Sequence, residues 1–223
     1  VDISHNIPLF DTNKAAFVVK ACYPNYPKDT VHIIGVRGFN NQFIAKPMAV
    51  KYKNQWFFGY DNNAFLQMFD EDIEKECWLL KNFETTFPEF ELLIKPALSL
   101  IDGFPIASLG TQLNSISIPT STRREVTPNS MVGMVQYINN YGNAVTNIYH
   151  DDFERVRNNR KFKITLIRQQ NTITKISQTY YEPEGELVAV FNSLGLLELG
   201  QMNYRLDQSI GLDVQSKIRI QFL

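Results

Sequence analysis

The 223-residue chain is short of several features that usually announce a function. It has two cysteines, Cys22 and Cys77, too few for a disulfide framework or a four-thiolate zinc site, and both are expected to be buried free thiols. Its three histidines, His5, His32 and His150, stand far apart with no HxH or HxxxH spacing, so no metal site is expected. No apolar run approaches the ~18 residues that span a bilayer, and there is no basic-then-apolar leader pattern. Charge of either sign is not in excess: 22 Lys+Arg face 23 Asp+Glu, for a net −1. Nothing general therefore draws the chain toward nucleic acid or an acidic membrane. The GxGxxG, P-loop and GxSxG patterns are absent, which removes the common nucleotide and acyl-transfer signatures. What remains is a chain with 44% hydrophobic residues, long enough for one large core or two modest ones. A soluble, reducing, cytoplasmic setting is expected, with no nucleic-acid or membrane partner.

The N-terminal half alternates element types. Val1-Asp2-Ile3-Ser4 reads as the end of a strand already under way, and a strand–helix piece is expected ahead of it. Asp11 or Thr12 caps a helix whose apolar positions Ala15, Val18, Val19 and Cys22 share one face, and Pro24 and Pro27 stop it. Residues 30–36 form an almost continuous apolar run, the pattern of a strand buried on both faces. Residues 48–52 and 56–60 read as two further strands around a Lys53-Asn54 turn, and 92–101 as a helix interrupted by Pro96. Strand, capped helix and buried strand in succession predict an α/β domain with a mixed sheet flanked by helices, over residues 1–113.

Residues 114–130 lose all hydrophobic period and are read as a linker. Beyond it, 131–223 predicts a small all-β barrel or sandwich domain. In 161–168 Phe162, Ile164 and Leu166 alternate with polar residues, and 217–222 repeats the design with Ile218, Ile220 and Phe222. Further strands are expected at 132–139, 144–148 and 187–191. The basic stretch 155–163 follows Asp151, Asp152 and Glu154 and carries no interleaved aromatic platform, so it reads as a solvated helix end running into a strand.

Two polar segments stand apart. In 139–148 amides gather around Gly142 and then enter a strand. Asparagine offers both donor and acceptor, which suits an adenine edge or an amino-acid zwitterion, and equally suits a turn that tolerates positive φ. In 191–199 a strand ends in Asn192-Ser193, and Glu198 sits alone among leucines. That is a place to hold a polar ligand, or a plain strand exit.

Taken together, these segments resemble the SAM hydroxide adenosyltransferase family, which also contains fluorinases and chlorinases. Residues 139–148 are similar to its FGNxxTNI stretch, 191–199 to NSxGxLEIA, and Ile210-Gly211-Leu212-Asp213 to LGLxxGDxV. Residues 1–11 are similar to its VD(V/I)TH segment, 30–36 to TVHVxVV, and Tyr60-Asp61-Asn62-Asn63 to PDNG. The resemblance is collinear over nearly the whole chain. It implies an α/β domain, a β-barrel domain and a homotrimer. S-adenosylmethionine (SAM) would lie between one subunit's N-terminal domain and its neighbour's C-terminal domain. No cofactor is implied beyond SAM itself, as substrate or ligand, and the family reaction is SAM plus water giving adenosine plus methionine.

The resemblance also implies substrate-binding positions. Tyr141 and Asn143 fall where an aromatic ring and an amide meet adenine, and Ser193, with Asn192 before it, where a serine meets the methionine carboxylate. Phe10 matches an aromatic that lines the nucleoside pocket, and Asn139 stands where the family has an aspartate holding the methionine ammonium. The positions of the family's water-activating Asp-Arg-His set hold Arg37, Lys46 and Pro88. A guanidinium is no base, and proline offers no side-chain donor or acceptor. The family's first strand and its TDFG motif are absent from the sequence, as is the extra loop of the halogenating members after Asp61, so halide chemistry is not expected. Two outcomes stay open: a SAM hydrolase whose water is held by Arg37, Lys46 and Glu89 or Glu91, or a nucleoside-binding or purely structural trimer without hydrolysis.

Overall fold

A computed structural model describes residues 1–36, 45–61, 63–69, 73–74, 76–116, 124–166, 172–183 and 185–223. The chain divides into two compact units, Val1–Thr120 and Ser121–Leu223.

In the first unit, α1 (Thr12–Cys22) begins where Asp11 Oδ1 accepts from the Lys14 N–H at 2.9 Å, which satisfies one of the helix's orphan donors. It buries Ala15, Ala16 and Val19. The strands are β1 (Val31–Ile33), β2 (Pro47–Tyr52), β3 (Gln55–Tyr60), β4 (Ile73–Glu74), β5 (Cys77–Leu80), β6 (Gly110–Gln112) and β7 (Ser115–Ile116), with short helices α2 (Asn63–Met68), α3 (Lys95–Ile101) and α4 (Ile106–Leu109). Their main sheet runs β1-β3-β2-β5-β6 and is mixed: β1 pairs parallel to β3, and the other pairs are antiparallel. Lys53 and Asn54 take φ of 46° and 59° at the β2–β3 turn, the doubly left-handed geometry of a two-residue hairpin.

Three sequence expectations need correction here. The strand expected over 30–36 closes after Ile33; Ile34 still donates to the Phe58 carbonyl, and Gly35 follows outside the ladder. The helix expected over 92–101 starts earlier, in a wide turn over Glu89–Ile94 where the Lys95 N–H reaches back five residues to the Phe90 carbonyl. Pro96 does not interrupt it but sits in the first turn of α3, where its missing N–H costs nothing. Of the two cysteines, Cys77 is buried and burial pushes its thiol up, but Cys22 is only half-buried.

His32 is a core residue of this unit. Its Nε2 lies 2.6 Å from Gln55 Oε1, its ring stacks on Phe57 at 4.7 Å, and Gln55 Nε2 donates onward to the Tyr23 and Tyr26 carbonyls. A buried polar pair satisfied in this way specifies the core rather than a reaction.

The second unit is an antiparallel barrel of β8 (Glu125–Thr127), β9 (Ser130–Ile138), β10 (Ala144–Tyr149), β11 (Phe162–Leu166), β12 (Thr172–Ile173), β13 (Leu187–Phe191), β14 (Leu196–Gln201) and β15 (Lys217–Phe222). The order is β12-β11-β15-β9-β10-β14-β13, with β8 added beside β9. The segment after β12 returns to β13, where the Ser177 N–H donates to the Ala189 carbonyl, so the sheet nearly closes. The alternation read in β11 and β15 is realised: Ile218, Ile220 and Phe222 face the core with Phe162, Ile164 and Leu166, while Lys217, Arg219 and Gln221 are exposed. Helix α5 (His150–Arg157) drops Phe153 into that core and pairs Arg155 with Asp152 and Arg157 with Glu154, the solvated helix end expected for the basic stretch. A last short helix, α6 (Leu206–Ile210), precedes β15. The stretch read as a linker, 114–130, contains β7 and β8. Among the described residues no helix is long and apolar enough to cross a membrane.

Candidate functional site

In the second unit the two polar segments are hairpin loops of one design. Residues 139–143 join β9 to β10, and 192–196 lead from β13 into β14. In the first, the Asn139 N–H donates to the Asn143 carbonyl and the Gly142 N–H to the Asn139 carbonyl. Asn139 Oδ1 accepts from the Tyr141 and Asn143 N–H groups at 2.9 and 3.1 Å. The second loop repeats the set one for one. The Asn192 N–H donates to the Leu196 carbonyl and the Gly195 N–H to the Asn192 carbonyl, and Asn192 Oδ1 accepts from the Leu194 and Leu196 N–H groups at 3.0 and 3.2 Å. Gly142 and Gly195 occupy the same step with φ of 83° and 71°, which a side chain would strain.

Both loops reach one carboxylate. Glu198, on β14 and only 5% exposed, accepts from Asn139 Nδ2 at 3.0 Å and Asn143 Nδ2 at 3.3 Å on Oε1, and from Asn192 Nδ2 at 2.9 Å on Oε2. Tyr180 faces the same group: burial, followed by the charge of Glu198 and a hydrogen bond to it, holds the phenol well above the usual tyrosine range. Gly200 leaves room for this arrangement, since a Cβ there would stand 2.8 Å from Asn143 Oδ1. Register places Val145 and Val190 on either side of Glu198.

The expected ligand residues of this unit therefore fall into two groups. Asn139, Asn143 and Asn192 are brought together, each giving an amide hydrogen to Glu198. Tyr141 and Ser193 sit at the third and second positions of their loops and face outward, Tyr141 being 80% exposed. Thr146 and Asn147, from the same family stretch, support the barrel: Thr146 Oγ1 donates to the Leu197 carbonyl, and Asn147 Oδ1 accepts from the Met134 N–H. Sequence reasoning noticed Glu198 without assigning it and missed Tyr180. The available signal was the Asn-x-x-Gly spacing shared by Asn139/Gly142 and Asn192/Gly195, which marks two copies of one turn.

Of the positions that the family resemblance implies for water activation, Lys46 and Pro88 lie among the described residues of the first unit. Lys46 is exposed, and its carbonyl accepts from the Asp61 N–H at 2.7 Å, where Pro47 pairs with Tyr60. Pro88 is half-buried and opens the wide turn that carries Glu89. Glu89 is half-buried, accepts from the Tyr60 hydroxyl at 3.3 Å, and lies with its Cγ 3.4 Å from where a Cβ on Gly35 would stand. Glu91 instead points to an ion pair with Lys95 at 2.7 Å. Arg37 lies outside the described residues. Lys46 and Glu89 thus lie past the carboxyl ends of β3 and β1 respectively, the ends at which open α/β sheets bind ligands. Phe10 precedes the α1 cap, is 47% exposed, and has φ 64°, a strained setting for a bulky side chain. No group of three or more His, Cys, Asp or Glu side chains among the described residues is placed to hold a metal ion.

Comparisons with known proteins bear on the family and the fold. The profile of the SAM hydroxide adenosyltransferase N-terminal domain matches residues 1–110, and that of the C-terminal domain matches 133–219. A fluorinase of Nocardia brasiliensis is 30% identical over 147 residues, 60% of this chain and 49% of that protein; the chain thus spans about half the length of this curated relative. In fold it is similar to an uncharacterized conserved protein from Thermotoga maritima (TM-score 0.78, 21% identity, 99% of this chain and 88% of that one). It is also similar to a conserved hypothetical protein from Thermus thermophilus (TM-score 0.70, 20% identity, 100% and 86%). With both domain profiles matched in order on an α/β unit followed by a β-barrel, the chain belongs to the SAM hydroxide adenosyltransferase family.

Proposed function

We propose that this protein binds SAM or adenosine through the two hairpin loops of its barrel, and that it does so without the family's rate of SAM hydrolysis. The observation that carries the reading is Asn143. It gives one amide hydrogen to Glu198 and keeps a carbonyl and a second hydrogen, the donor–acceptor pair that an adenine edge requires. Exposed Tyr141 supplies a ring for the base, and the outward Ser193 hydroxyl suits a carboxylate. Phe10, held at positive φ, is the kind of strained residue that clusters at ligand sites. Ammonium binding is weaker than in the family, because Asn139 is neutral and its amide is turned onto Glu198.

The proposal includes the homotrimer and the inter-subunit pocket that the family resemblance implies. Phe87, Phe90, Leu98, Ile101 and Phe104 are all exposed on the first unit, an apolar surface of the sort subunit association covers.

Hydrolysis to adenosine and methionine is the second reading, and one observation favours it: Glu89, beside Tyr60 at the sheet end, is a carboxylate able to orient water for in-line attack at C5′. Incubation with SAM, with adenosine and methionine followed by chromatography alongside equilibrium binding, separates the readings. Binding with no adenosine above the buffer rate supports the first, and adenosine formation supports the second. Absence of any binding overturns both.

A further inference from the structure

We infer that Glu198 is a positioning residue: it ties the two hairpin ends to one point and so fixes the separation at which they meet the two ends of a ligand. This rests on the assignment of the loops to a nucleoside ligand, and it adds a role for a residue that does not itself face that ligand. Glu198 is buried, and three amides and a phenol from three separate segments converge on it. The loops enter from opposite ends of the β10–β14 pair. Asn143 stands beside Gly200, since Ala144 pairs with Leu199, while Asn192 bonds to Leu196 through its main chain. Four residues of strand separate these points, roughly 13 Å at the rise of an extended chain. Measured between those main-chain points, with the amides of both loops meeting at Glu198 between them, that span suits an extended nucleoside carrying an amino-acid tail better than a base alone.

Each loop is also closed by its own asparagine Oδ1 and main chain. Loss of Glu198 therefore leaves each turn formed and removes what holds one relative to the other. Glutamine keeps the shape of Glu198 but turns one acceptor oxygen into a donor. Either the Asn139–Asn143 pair or Asn192 then faces an N–H₂ group and lets go, and one carboxylate held by several donors becomes a partly satisfied network. A ligand that bridges both loops gains from their fixed spacing as any bivalent ligand does, whereas a ligand that touches one loop does not.

The test titrates the full chain and its Glu198→Gln variant with adenosine and with S-adenosylhomocysteine. The latter spans both loops and, as a thioether, carries no sulfonium leaving group. S-adenosylhomocysteine is expected to weaken about tenfold or more in the variant while adenosine changes less than about threefold, with circular dichroism unchanged. A general loss of structure would weaken both ligands alike. Should Glu198→Gln fail to fold, Asn192→Asp is used instead: it keeps the loop's own acceptor oxygen, sets a carboxylate against Glu198 Oε2, and is expected to show the same selective loss. Parallel weakening of both ligands, or no change in either, overturns the positioning role while leaving the loops as the ligand site. Failure of the wild-type chain to bind either ligand overturns the site assignment as well.

Discussion

Tyr60 donates its hydroxyl to Glu89 at 3.3 Å, and this contact separates the two carboxylates that the sequence offered for water activation. Glu89 lies at the end of the sheet beside Gly35, whereas Glu91 is on the solvent side, paired with Lys95. Any adenosine the protein releases from SAM is expected to fall about 10²-fold or more in Glu89→Gln, the range of a positioned acid–base group, and to be unchanged in Glu91→Gln. Chromatographic initial rates decide this. Equal rates for wild type and Glu89→Gln would remove Glu89 from the chemistry.

Asn139→Asp installs the residue that the family resemblance implies here and brings a second carboxylate up to Glu198 Oε1, which Asn139 Nδ2 now approaches to 3.0 Å. Two carboxylates this close cannot both ionise freely, so the folded state raises the pKa of the pair. A raised folded pKa stabilises the fold below the ordinary carboxylate range, and that contribution is lost as the pH rises through the shifted value. The variant's deficit relative to wild type is therefore expected to be small near pH 4 and larger at pH 7, measured by urea denaturation at each pH. A deficit that shrinks with rising pH would contradict the arrangement around Glu198.

Gly142 has φ 83°, and a Cβ on it would stand 2.5 Å from Asp207 Oδ1. Asp207 is held there by Arg205 at 2.8 Å, and Arg205 also donates to the Asn140 carbonyl. Gly142→Ala combines a left-handed backbone with a clash, and is expected to destabilise the barrel by about 1–3 kcal/mol in denaturant titration. Gly195 has open space around it and a similar φ, so Gly195→Ala should cost only the conformational part, about 1 kcal/mol.

Asp152 receives Arg155 at 2.6 Å and also pairs with Arg124. Burial works to raise its carboxyl, but the two guanidinium groups outweigh it and hold the group below the usual carboxylate range. A depressed folded pKa contributes stability above the unfolded value and loses it as the pH falls through the folded one. Asp152→Asn is thus expected to cost about 1 kcal/mol or less at pH 7 and nothing near pH 2, read from thermal melts across that range.

The parts of this protein legible in its sequence are those where one face of an element is wet. β15 alternates exposed and buried residues along its whole length, so its bounds and inward face could be read directly. β14 is buried on both sides, and Leu-Leu-Glu-Leu-Gly shows no period from which to recognise a strand. The same limit hid the centre of the site. Asn139 and Asn143 lie 59 and 55 residues from Glu198 along the chain, and only the pairing of β10 with β14 brings them together. Composition and spacing identified the amides as special without fixing what they face. His32 is the opposite case, a lone apolar-strand histidine whose place in the core follows from its hydrogen bond to Gln55 and its stack on Phe57, the residue opposite it.

Calorimetric titration of adenosine into the wild-type protein and its Asn143→Ala variant addresses the carboxamide site most directly. Saturable binding by the wild type, weakened at least about tenfold in the variant, is the expected result. Equal affinity in the two proteins, or a wild type that binds neither adenosine nor SAM, would contradict it.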